Sequence, residues 1–255
     1  HFRVAELCIL KSNVHVINSE GEEEIVSINM TTVTSVTIVS NTHQIPARFL
    51  LNSMRLVTVT LNMPDVEEIC DNFIFNHVQQ SNLTTINLGD DTFNKVKTIG
   101  TQFLTSTRVG NSKLTAFDLS HFANCTKIGD SFMYNMRGLS SLDFSRMTKL
   151  ESIGTNFLYY CSGANFTNLD LRNLTSLKMI GKNFLYCDKI TTLWLPAVNT
   201  ENDVPVLNGW PEYSSYLPPI TAIYCGNNNT QVGYYANNLT WTIGAPSTAT
   251  FQVYP

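Results

Sequence analysis

Two short apolar motifs alternate along most of this 255-residue chain, and their alternation restricts the possible folds more than any other feature. The first motif is L-x-x-L-x-L, in which other apolar residues also occupy the three anchor positions. Its eight copies have anchors at Val33/Val36/Ile38, Leu56/Val59/Leu61, Leu83/Ile86/Leu88, Leu114/Phe117/Leu119, Leu139/Leu142/Phe144, Phe166/Leu169/Leu171, Ile190/Leu193/Leu195 and Ile220/Ile223/Cys225. The second motif, Ile-Gly-x-x-Phe, occurs at Ile99/Phe103, Ile128/Phe132, Ile153/Phe157 and Ile180/Phe184, with looser forms at Ile45/Phe49 and Ile69/Phe73. Because the motifs recur in a fixed order, with first anchors 23 to 31 residues apart, they define one repeating unit.

Each L-x-x-L-x-L copy ends with apolar residues at every second position, which is the pattern of a short strand with one buried face. The Phe of the second motif is expected to fill the interior from the opposite wall, and the Gly suits a position that needs positive φ or close backbone approach. One unit cannot bury both of these faces alone, whereas stacked units share a continuous core. The sequence therefore predicts an α/β-type repeat solenoid: a leucine-rich repeat with a parallel sheet of short strands on one face and short helical or irregular segments on the other.

The segments on either side of the repeats fit the pattern poorly, as capping segments do. We predict an N-terminal cap over residues 1–32, about eight leucine-rich repeats over 33–225 and a C-terminal cap over 226–255. The stretch NVHVINSEGEEEIVSI indicates a hairpin-like pair of strands around a Ser-Glu-Gly turn, and its three consecutive Glu residues oppose edge-to-edge association. At the other end, NNNTQVGYYANNLTWTIG is typical of a short helix followed by an aromatic plug.

Composition and charge exclude several classes of protein. The net charge is −4 and Lys and Arg form no cluster, so the electrostatic signature of a nucleic-acid-binding protein is missing. No apolar run approaches the roughly 18 to 20 residues that span a bilayer, so we expect membrane attachment only through an anchor outside these residues. Charged residues make up only 14% of the chain, and Asn, Ser and Thr supply most of the polarity, as suits a secreted or surface-exposed protein.

The cysteines are scattered and suggest packing rather than redox or metal chemistry. The six are Cys8, Cys70, Cys125, Cys161, Cys187 and Cys225, and no C-x-x-C pair occurs among them. We predict that they are mostly small buried side chains that are not needed as disulfides. An Asn or a Cys follows the Phe of most units by three or four residues, at Asn52, Asn76, Asn135, Cys161 and Cys187. A small polar or thiol group there is expected to bond the backbone of an adjacent coil.

The sequence contains no recognisable catalytic or cofactor-binding motif. A nucleophile elbow, a phosphate-binding glycine loop, H-E-x-x-H and a dinucleotide fingerprint are all missing. His121 and Cys125 lie four residues apart, but no third or fourth metal ligand accompanies them. We therefore predict no catalytic residues, no cofactor and no metal site, and hence a protein that is not an enzyme.

The outward positions of the predicted strands carry the candidate ligand-binding residues. Between the second and third anchors, the later units place Asp118, Asp143, Asp170, Trp194 and Tyr224. Parallel strands about 4.8 Å apart would stack the three carboxylates, and each neighbouring pair would repel by about 0.8 kcal/mol in water or about 3 kcal/mol at an effective dielectric of 20. The acids form either a solvated stripe, with Arg146 and Arg172 nearby, or a docking surface for a cationic or hydroxyl-rich ligand.

Trp194 and Tyr224 extend the same row with two outward aromatic side chains. Such side chains dominate binding hot spots between proteins, and their faces also stack on sugars. Alternatively, the insertion from Val198 to Pro219, which carries three aromatic residues, folds back and covers them. Because a stacked sheet holds side chains in a rigid row that an extended partner can meet at several points, we predict that the sheet face is the contact surface.

The motifs resemble those of the BspA-like leucine-rich repeats, which are found in surface proteins of Bacteroides and related bacteria and in trichomonad surface proteins. The closest similarity lies in SIGTNFLYYC, MIGKNFLYC and ITTLWLP. The ending AIYCGNNNTQVGYYANNLTW is similar to the family's closing segment, with Tyr235 and Trp241 at its two aromatic positions. The resemblance extends over residues 33–241 and departs from the family pattern at Pro46, at Cys70 and over 204–216.

The resemblance implies export, attachment to the cell surface and adhesion or protein binding, without catalytic residues. Our first hypothesis is thus an extracellular, cell-surface leucine-rich repeat module that binds a protein of a host or a neighbouring cell through its sheet face. The alternative hypothesis is a carbohydrate-binding surface protein, in which Trp194, Tyr224 and the outward acids contact a glycan.

Overall fold

The computed structural model describes residues 3–6, 13–17, 23–27, 33–77, 81–108, 110–212 and 217–255, and the first three ranges by their backbone alone. From residue 33 the chain winds into a solenoid of about eight stacked coils with little helix, as the repeats predict. We number the coils by the copies of L-x-x-L-x-L, so that coil 1 begins at Val33 and coil 8 at Ile220. Wall A is the side of the solenoid formed by L-x-x-L-x-L, and wall B is the side formed by Ile-Gly-x-x-Phe.

Three antiparallel strands precede the coils. They are β1 (Arg3–Glu6), β2 (Asn13–Ile17) and β3 (Glu23–Ser27), in the sheet order β1-β2-β3. The strands β2 and β3 are the pair that the sequence places around the Ser19-Glu20-Gly21 turn. That turn and Cys8 lie outside the described residues.

Wall B is a continuous parallel sheet of two-residue strands rather than an irregular wall. Its strands are β5 (Gln44–Ile45), β7 (Glu68–Ile69), β9 (Thr98–Ile99), β10 (Lys127–Ile128), β11 (Ser152–Ile153), β13 (Met179–Ile180) and β15 (Val206–Leu207), with labels in chain order across both walls. In each strand the second residue is buried and the first points outward.

Wall A carries two separate parallel sheets, whereas the sequence predicted one. The first contains β4 (Ser35–Val39), β6 (Thr58–Asn62) and β8 (Thr85–Leu88), and the second contains β12 (Asn168–Asp170), β14 (Thr192–Trp194), β16 (Ala222–Gly226) and β17 (Thr250–Val253). Coils 4 and 5 form no strand on this wall. We attribute the interruption to Phe117 and Phe144, because they put a phenyl ring at the second or third anchor, where the other coils carry smaller side chains.

Stacked phenylalanines fill the interior between the walls, as the second motif predicts. Ring centroids of successive coils lie 4.8 to 6.1 Å apart, in the order Phe49, Phe73, Phe103, Phe132, Phe157 and Phe184. The residue after each Phe is also buried, for example Leu158 and Leu185. Both of these have positive φ, 54° and 60°, and this left-handed turn lets two consecutive side chains point inward.

The glycine of the second motif is required by close backbone approach, and φ is not positive there. A Cβ atom on Gly181 would lie 2.4 Å from the backbone nitrogen of Thr155 in the preceding coil, and one on Gly129 would lie 2.6 Å from the carbonyl carbon of Gly100. Any larger residue would therefore push the coils apart.

The small polar and thiol groups after the Phe bond neighbouring coils, as predicted. The Asn135 Nδ2 donates to the Ser106 carbonyl at 2.8 Å, and the Cys161 and Cys187 thiols lie 3.1 and 2.7 Å from the carbonyls of Met133 and Leu158. Asn76 departs from this rule, because its buried Oδ1 has no hydrogen-bond partner among the described residues. The five described cysteines are all free thiols, and four of them are buried, as predicted.

Two helices and the insertion close the C-terminal end of the core. They are α1 (Asn229–Ala236) and α2 (Leu239–Thr242), and two 3-10 turns lie at Ser120–Phe122 and Glu201–Asp203. Trp241 is buried, its Nε1 donates to the Pro205 carbonyl at 2.7 Å, and its own carbonyl accepts from Trp210 Nε1 at 3.0 Å. The buried Tyr235 hydroxyl donates to the Pro196 carbonyl at 2.9 Å. The helix and aromatic plug predicted from the sequence are both present.

Candidate functional site on the outer face of the C-terminal sheet

The strand register of the C-terminal sheet brings three of the predicted site residues into one row. Asp170 of β12 pairs with Trp194 of β14, and Trp194 pairs with Tyr224 of β16. The anchors on both sides of each outward residue are buried, so the row rests on rigid backbone. The next residue in the row is Gln252, opposite Tyr224 on β17.

Arg172 joins this row through Asp170. Its guanidinium forms a bidentate ion pair with the carboxylate, with Nε 3.1 Å from Oδ1 and Nη2 2.7 Å from Oδ2. The same Oδ1 accepts the backbone N–H of Arg172 at 3.0 Å. The hydrogen bonds that Arg172 donates to Asp170 raise the pKa of Arg172, so the guanidinium stays charged. Arg172 is therefore held in a fixed position at the turn that follows β12.

Trp194 lies between a cation and a second aromatic ring. The Arg172 guanidinium carbon is 4.1 Å from the centre of the indole, and the Tyr224 ring is stacked on it at 4.2 Å with an interplanar angle of 29°. Because Arg172 comes from the coil before Trp194 and Tyr224 from the coil after it, the two cover opposite faces of the indole. A sugar ring would have to displace one of them to stack on Trp194, whereas the indole edge is open to a partner.

Tyr254 completes the cluster and was missed by sequence reasoning. Its ring centroid lies 6.1 Å from that of Trp194, and the Arg172 guanidinium is 5.7 Å from its centre. Its hydroxyl donates to the Leu195 carbonyl, and burial raises its pKa to about 12, so the phenol remains a neutral donor. The alternation in TFQVY just before the end of the chain is the signal that could have revealed β17 and with it this tyrosine.

The other two predicted carboxylates do not join this cluster. Asp118 and Asp143 lie in coils 4 and 5, where wall A has no strand, so the three acids are not on successive strands as expected. Each accepts a backbone N–H two residues on, from Ser120 at 2.9 Å and from Ser145 at 2.8 Å. Both side chains are exposed, and their first role is to fix the turn at the end of their motif.

The electrostatic surroundings of Asp118 favour its ionised form. Partial burial alone would raise the pKa of this carboxyl, but the hydrogen bonds from Ser120 and the nearby His121 outweigh burial and lower it below the usual value. The His121 Nε2 is 3.5 Å from the carboxylate, and its Nδ1 lies 2.8 Å from the Thr92 carbonyl. Within the described ranges, no group of three or more His, Cys, Asp or Glu side chains is arranged to hold a metal ion.

The insertion does not fold back over the aromatic row in the residues that are described. It runs along wall B, where Val206–Leu207 forms β15 next to β13, and Trp210 then packs 5.6 Å from Phe184 inside the core. Leu207 and Trp210 thus take the places of the missing Ile and Phe of coil 7. The aromatic residues Tyr213 and Tyr216 lie outside the described residues.

A family model of the BspA type leucine-rich repeat region matches this chain in six copies, over residues 28–127 and 109–238. Together the matched segments cover most of the chain. The chain belongs to the BspA-type leucine-rich repeat family. Searches of curated proteins and of solved structures give no significant match.

Membership of the BspA-type family indicates the general role of this solenoid. Repeats of this family are generally binding scaffolds on surface proteins, which supports a module for protein interaction or adhesion. No helix among the residues described here is long and apolar enough to cross a membrane. In this BspA-type solenoid, we call the contacting side chains of Asp170, Arg172, Trp194, Tyr224 and Tyr254 the sheet-face cluster.

Proposed function

We propose that this chain is the binding module of an exported, non-catalytic surface protein, and that it attaches to a protein of a host or a neighbouring cell through wall A. Family membership supports the binding role, and the Asn-, Ser- and Thr-rich composition agrees with an extracellular location. The contact surface consists of the sheet-face cluster together with the exposed acids Asp118 and Asp143.

The observation that carries this proposal is the packing of Trp194 between Arg172 and Tyr224. Trp, Tyr and Arg are the residue types most enriched in the hot spots of protein interfaces. Their mutual stacking and the Asp170 ion pair hold the rings in place before a partner arrives, so little side-chain entropy remains to be lost on binding.

The same packing favours a protein partner over a glycan on this face. A glycan site on Trp194 would need an open indole face, and both faces are in contact with protein groups. A protein partner needs only the exposed ring edges, the phenol and guanidinium donors and the neighbouring acids. We therefore favour protein binding over carbohydrate binding at the sheet-face cluster.

Binding of purified extracellular-matrix and cell-surface proteins to the immobilised chain, measured by surface plasmon resonance, tests the proposal. The Trp194→Ala variant should lose about 2 kcal/mol or more of binding free energy, roughly a thirtyfold weaker Kd. Thr60→Ala on the N-terminal sheet of wall A and Lys182→Ala outside wall A are matched controls that should bind normally. Normal binding by Trp194→Ala with loss in the Lys182→Ala control would move the site away from wall A.

Reversal of the exposed charge of Asp143 shows whether this residue accelerates association with the partner or holds the complex together. If the partner surface is basic, Asp143→Lys should slow association and weaken its salt dependence while leaving the dissociation rate nearly unchanged. A large rise in the dissociation rate would instead make Asp143 a direct anchor of the complex.

A further inference from the structure

Three tyrosines form a stacked row on the segments that follow the interior phenylalanines. Tyr134, Tyr159 and Tyr186 each stand two residues after the Phe of coils 4, 5 and 6. Ring centroids are 5.1 Å apart between Tyr134 and Tyr159 and 4.3 Å apart between Tyr159 and Tyr186, with nearly parallel planes. This tyrosine row belongs to neither wall A nor the sheet-face cluster.

Tyr160 lies across the tyrosine row with one face directed to solvent. Its ring is inclined at 86°, 85° and 78° to Tyr134, Tyr159 and Tyr186, and its centroid is 4.8 Å from that of Tyr159. Since the neighbours in the row cover both faces of Tyr159, Tyr160 meets that ring at its edge. Tyr160 is 37% exposed, which leaves the face turned away from the row accessible.

Tyr160 has a left-handed backbone conformation that asparagine adopts at the equivalent position of two other coils. In coils 1 and 4 the third residue after the Phe is Asn52 or Asn135, with φ of 54° and 61°. In coil 5 the same position is Tyr160 with φ of 61°, and Cys161, which bonds the preceding coil, comes one residue later. Asn tolerates this left-handed conformation better than Tyr does. Tyr160 therefore presents its aromatic side chain at a backbone cost.

Tyr160 lines a pocket of about 290 Å³ together with groups that can hydrogen bond to a ligand. The other described lining residues are Arg137, Ser162, Tyr186, Cys187, Asp188 and Leu217. The Arg137 Nε donates to Asn135 Oδ1 at 2.7 Å, which fixes the side chain and leaves its terminal nitrogens for a ligand. Asp188 offers a largely exposed carboxylate, 3.4 Å from the Lys189 ammonium.

We propose that this pocket binds one pyranose ring of a glycan, stacked on the exposed face of Tyr160. The apolar face of a pyranose needs a flat, rigid partner, and the tyrosine row holds Tyr160 from behind. Guanidinium and carboxylate groups at the rim can each bond a pair of ring hydroxyls. The volume lies just below the roughly 300 to 1,000 Å³ of pockets for drug-sized ligands, and therefore suits a small polar ligand rather than a folded partner.

This glycan site is separate from the sheet-face cluster and does not depend on protein binding there. At the cluster, Trp194 offers no open face, whereas Tyr160 does. The two sites can therefore be tested independently with variants of each.

Saturation-transfer NMR on the whole chain, with the methyl glycosides of glucose, galactose, mannose and N-acetylglucosamine, tests the proposal, and a glycan array extends the range of sugars. At least one glycoside should receive saturation at its ring protons. Tyr160→Asn, which supplies the residue of the equivalent coils, should weaken binding at least tenfold, whereas Tyr160→Trp should retain it because a flat face remains. Arg137→Ala and Asp188→Ala should each weaken it severalfold, and Trp194→Ala should leave it unchanged.

Three results would overturn this assignment. The first is that neither the glycosides nor the array glycans bind the wild-type chain. The second is binding that survives Tyr160→Asn in a variant whose thermal unfolding is unchanged. The third is loss of a protein partner, but of no glycan, in Tyr160→Asn, which would make the tyrosine cluster a protein-binding surface instead.

Discussion

The two sheets of wall A share one backbone design but present different chemistry to solvent. In the N-terminal sheet the middle row is Thr37, Thr60 and Asn87, and the Asn87 Nδ2 donates to the Thr60 hydroxyl at 3.3 Å. In the C-terminal sheet the same row is Asp170, Trp194, Tyr224 and Gln252. Each sheet packs apolar anchors of its strands against the interior phenylalanines.

This difference shows that the repeat motif determines the scaffold. The outward residues, which the motif does not specify, determine what the surface can bind. Small hydroxyl and amide groups in the N-terminal row offer little apolar surface, and two of them bond each other. Large rings in the C-terminal row offer edges and donors on a rigid support, which is the composition of a hot spot. Variants of equivalent positions in the two sheets can therefore separate scaffold effects from binding effects.

Removal of the Trp241 side chain, which plugs the core below the C-terminal sheet, should have the largest effect on stability. Trp241→Ala removes a fully buried ring and a hydrogen bond to Pro205, and should lower the free energy of unfolding by roughly 3–5 kcal/mol. Because each coil contacts only its neighbours, hydrogen exchange should speed up in coils 6–8 before coils 1–3. Leu239→Ala on the same helix, at a residue that is 68% exposed, is the control and should be nearly neutral. Equal acceleration in both sheets would mean that the solenoid unfolds as one unit.

Alanine in place of Gly100 or Gly181 should destabilise the N-terminal and the C-terminal half of the solenoid to a similar extent. Gly100→Ala and Gly181→Ala would each place a Cβ within 2.7 Å of backbone atoms of the preceding coil, at a cost of roughly 1–3 kcal/mol. Gly233→Ala in α1 is the control, since its Cβ would meet nothing closer than 3.9 Å and alanine favours a helix. Urea unfolding measures all three. If Gly100→Ala were neutral, the two halves of wall B would not share the same packing.

Truncation of the outward row should affect stability differently in the two sheets. Trp194→Ala loses its contacts with Arg172 and Tyr224 and should cost roughly 1–2 kcal/mol, while the buried anchors Leu193 and Leu195 keep the fold. Thr60→Ala should cost no more than about 0.5 kcal/mol. Denaturant unfolding compares them, and a larger loss in Thr60→Ala would mean that the N-terminal row supports the scaffold more than the aromatic row does.

The smallest expected effect concerns acid stability in the interrupted part of wall A. The folded-state pKa of Asp118 lies below its ordinary value of 3.8, so the ionised carboxylate stabilises the fold above that value and loses this contribution as the pH falls through the folded pKa. Asp118→Asn should therefore be slightly less stable than the wild type near neutral pH, and the difference should shrink in strong acid. A difference that stayed constant across this range would assign the effect to the Ser120 turn rather than to charge.

Much of the sheet-face cluster could be predicted from the sequence. The alternation around Leu169, Leu193 and Ile223 placed Asp170, Trp194 and Tyr224 outward, and the structure places them in one row. The sequence did not reveal that Arg172 and Tyr224 cover the faces of the indole. That outcome depends on side-chain directions in three coils, which no local pattern encodes.

The sequence by itself determined the repeating unit, the buried anchors, the order of the phenylalanine stack and the Trp241 plug. Each of these follows from the spacing of apolar residues within about thirty positions, and such spacing decides which side chains face inward. Only the tertiary structure decided the break in wall A at coils 4 and 5, the pairing of β17 with β16 and the placement of Tyr160 across the tyrosine row. These features depend on how side-chain volumes from different coils fit together, and that fit is settled only when the coils are stacked.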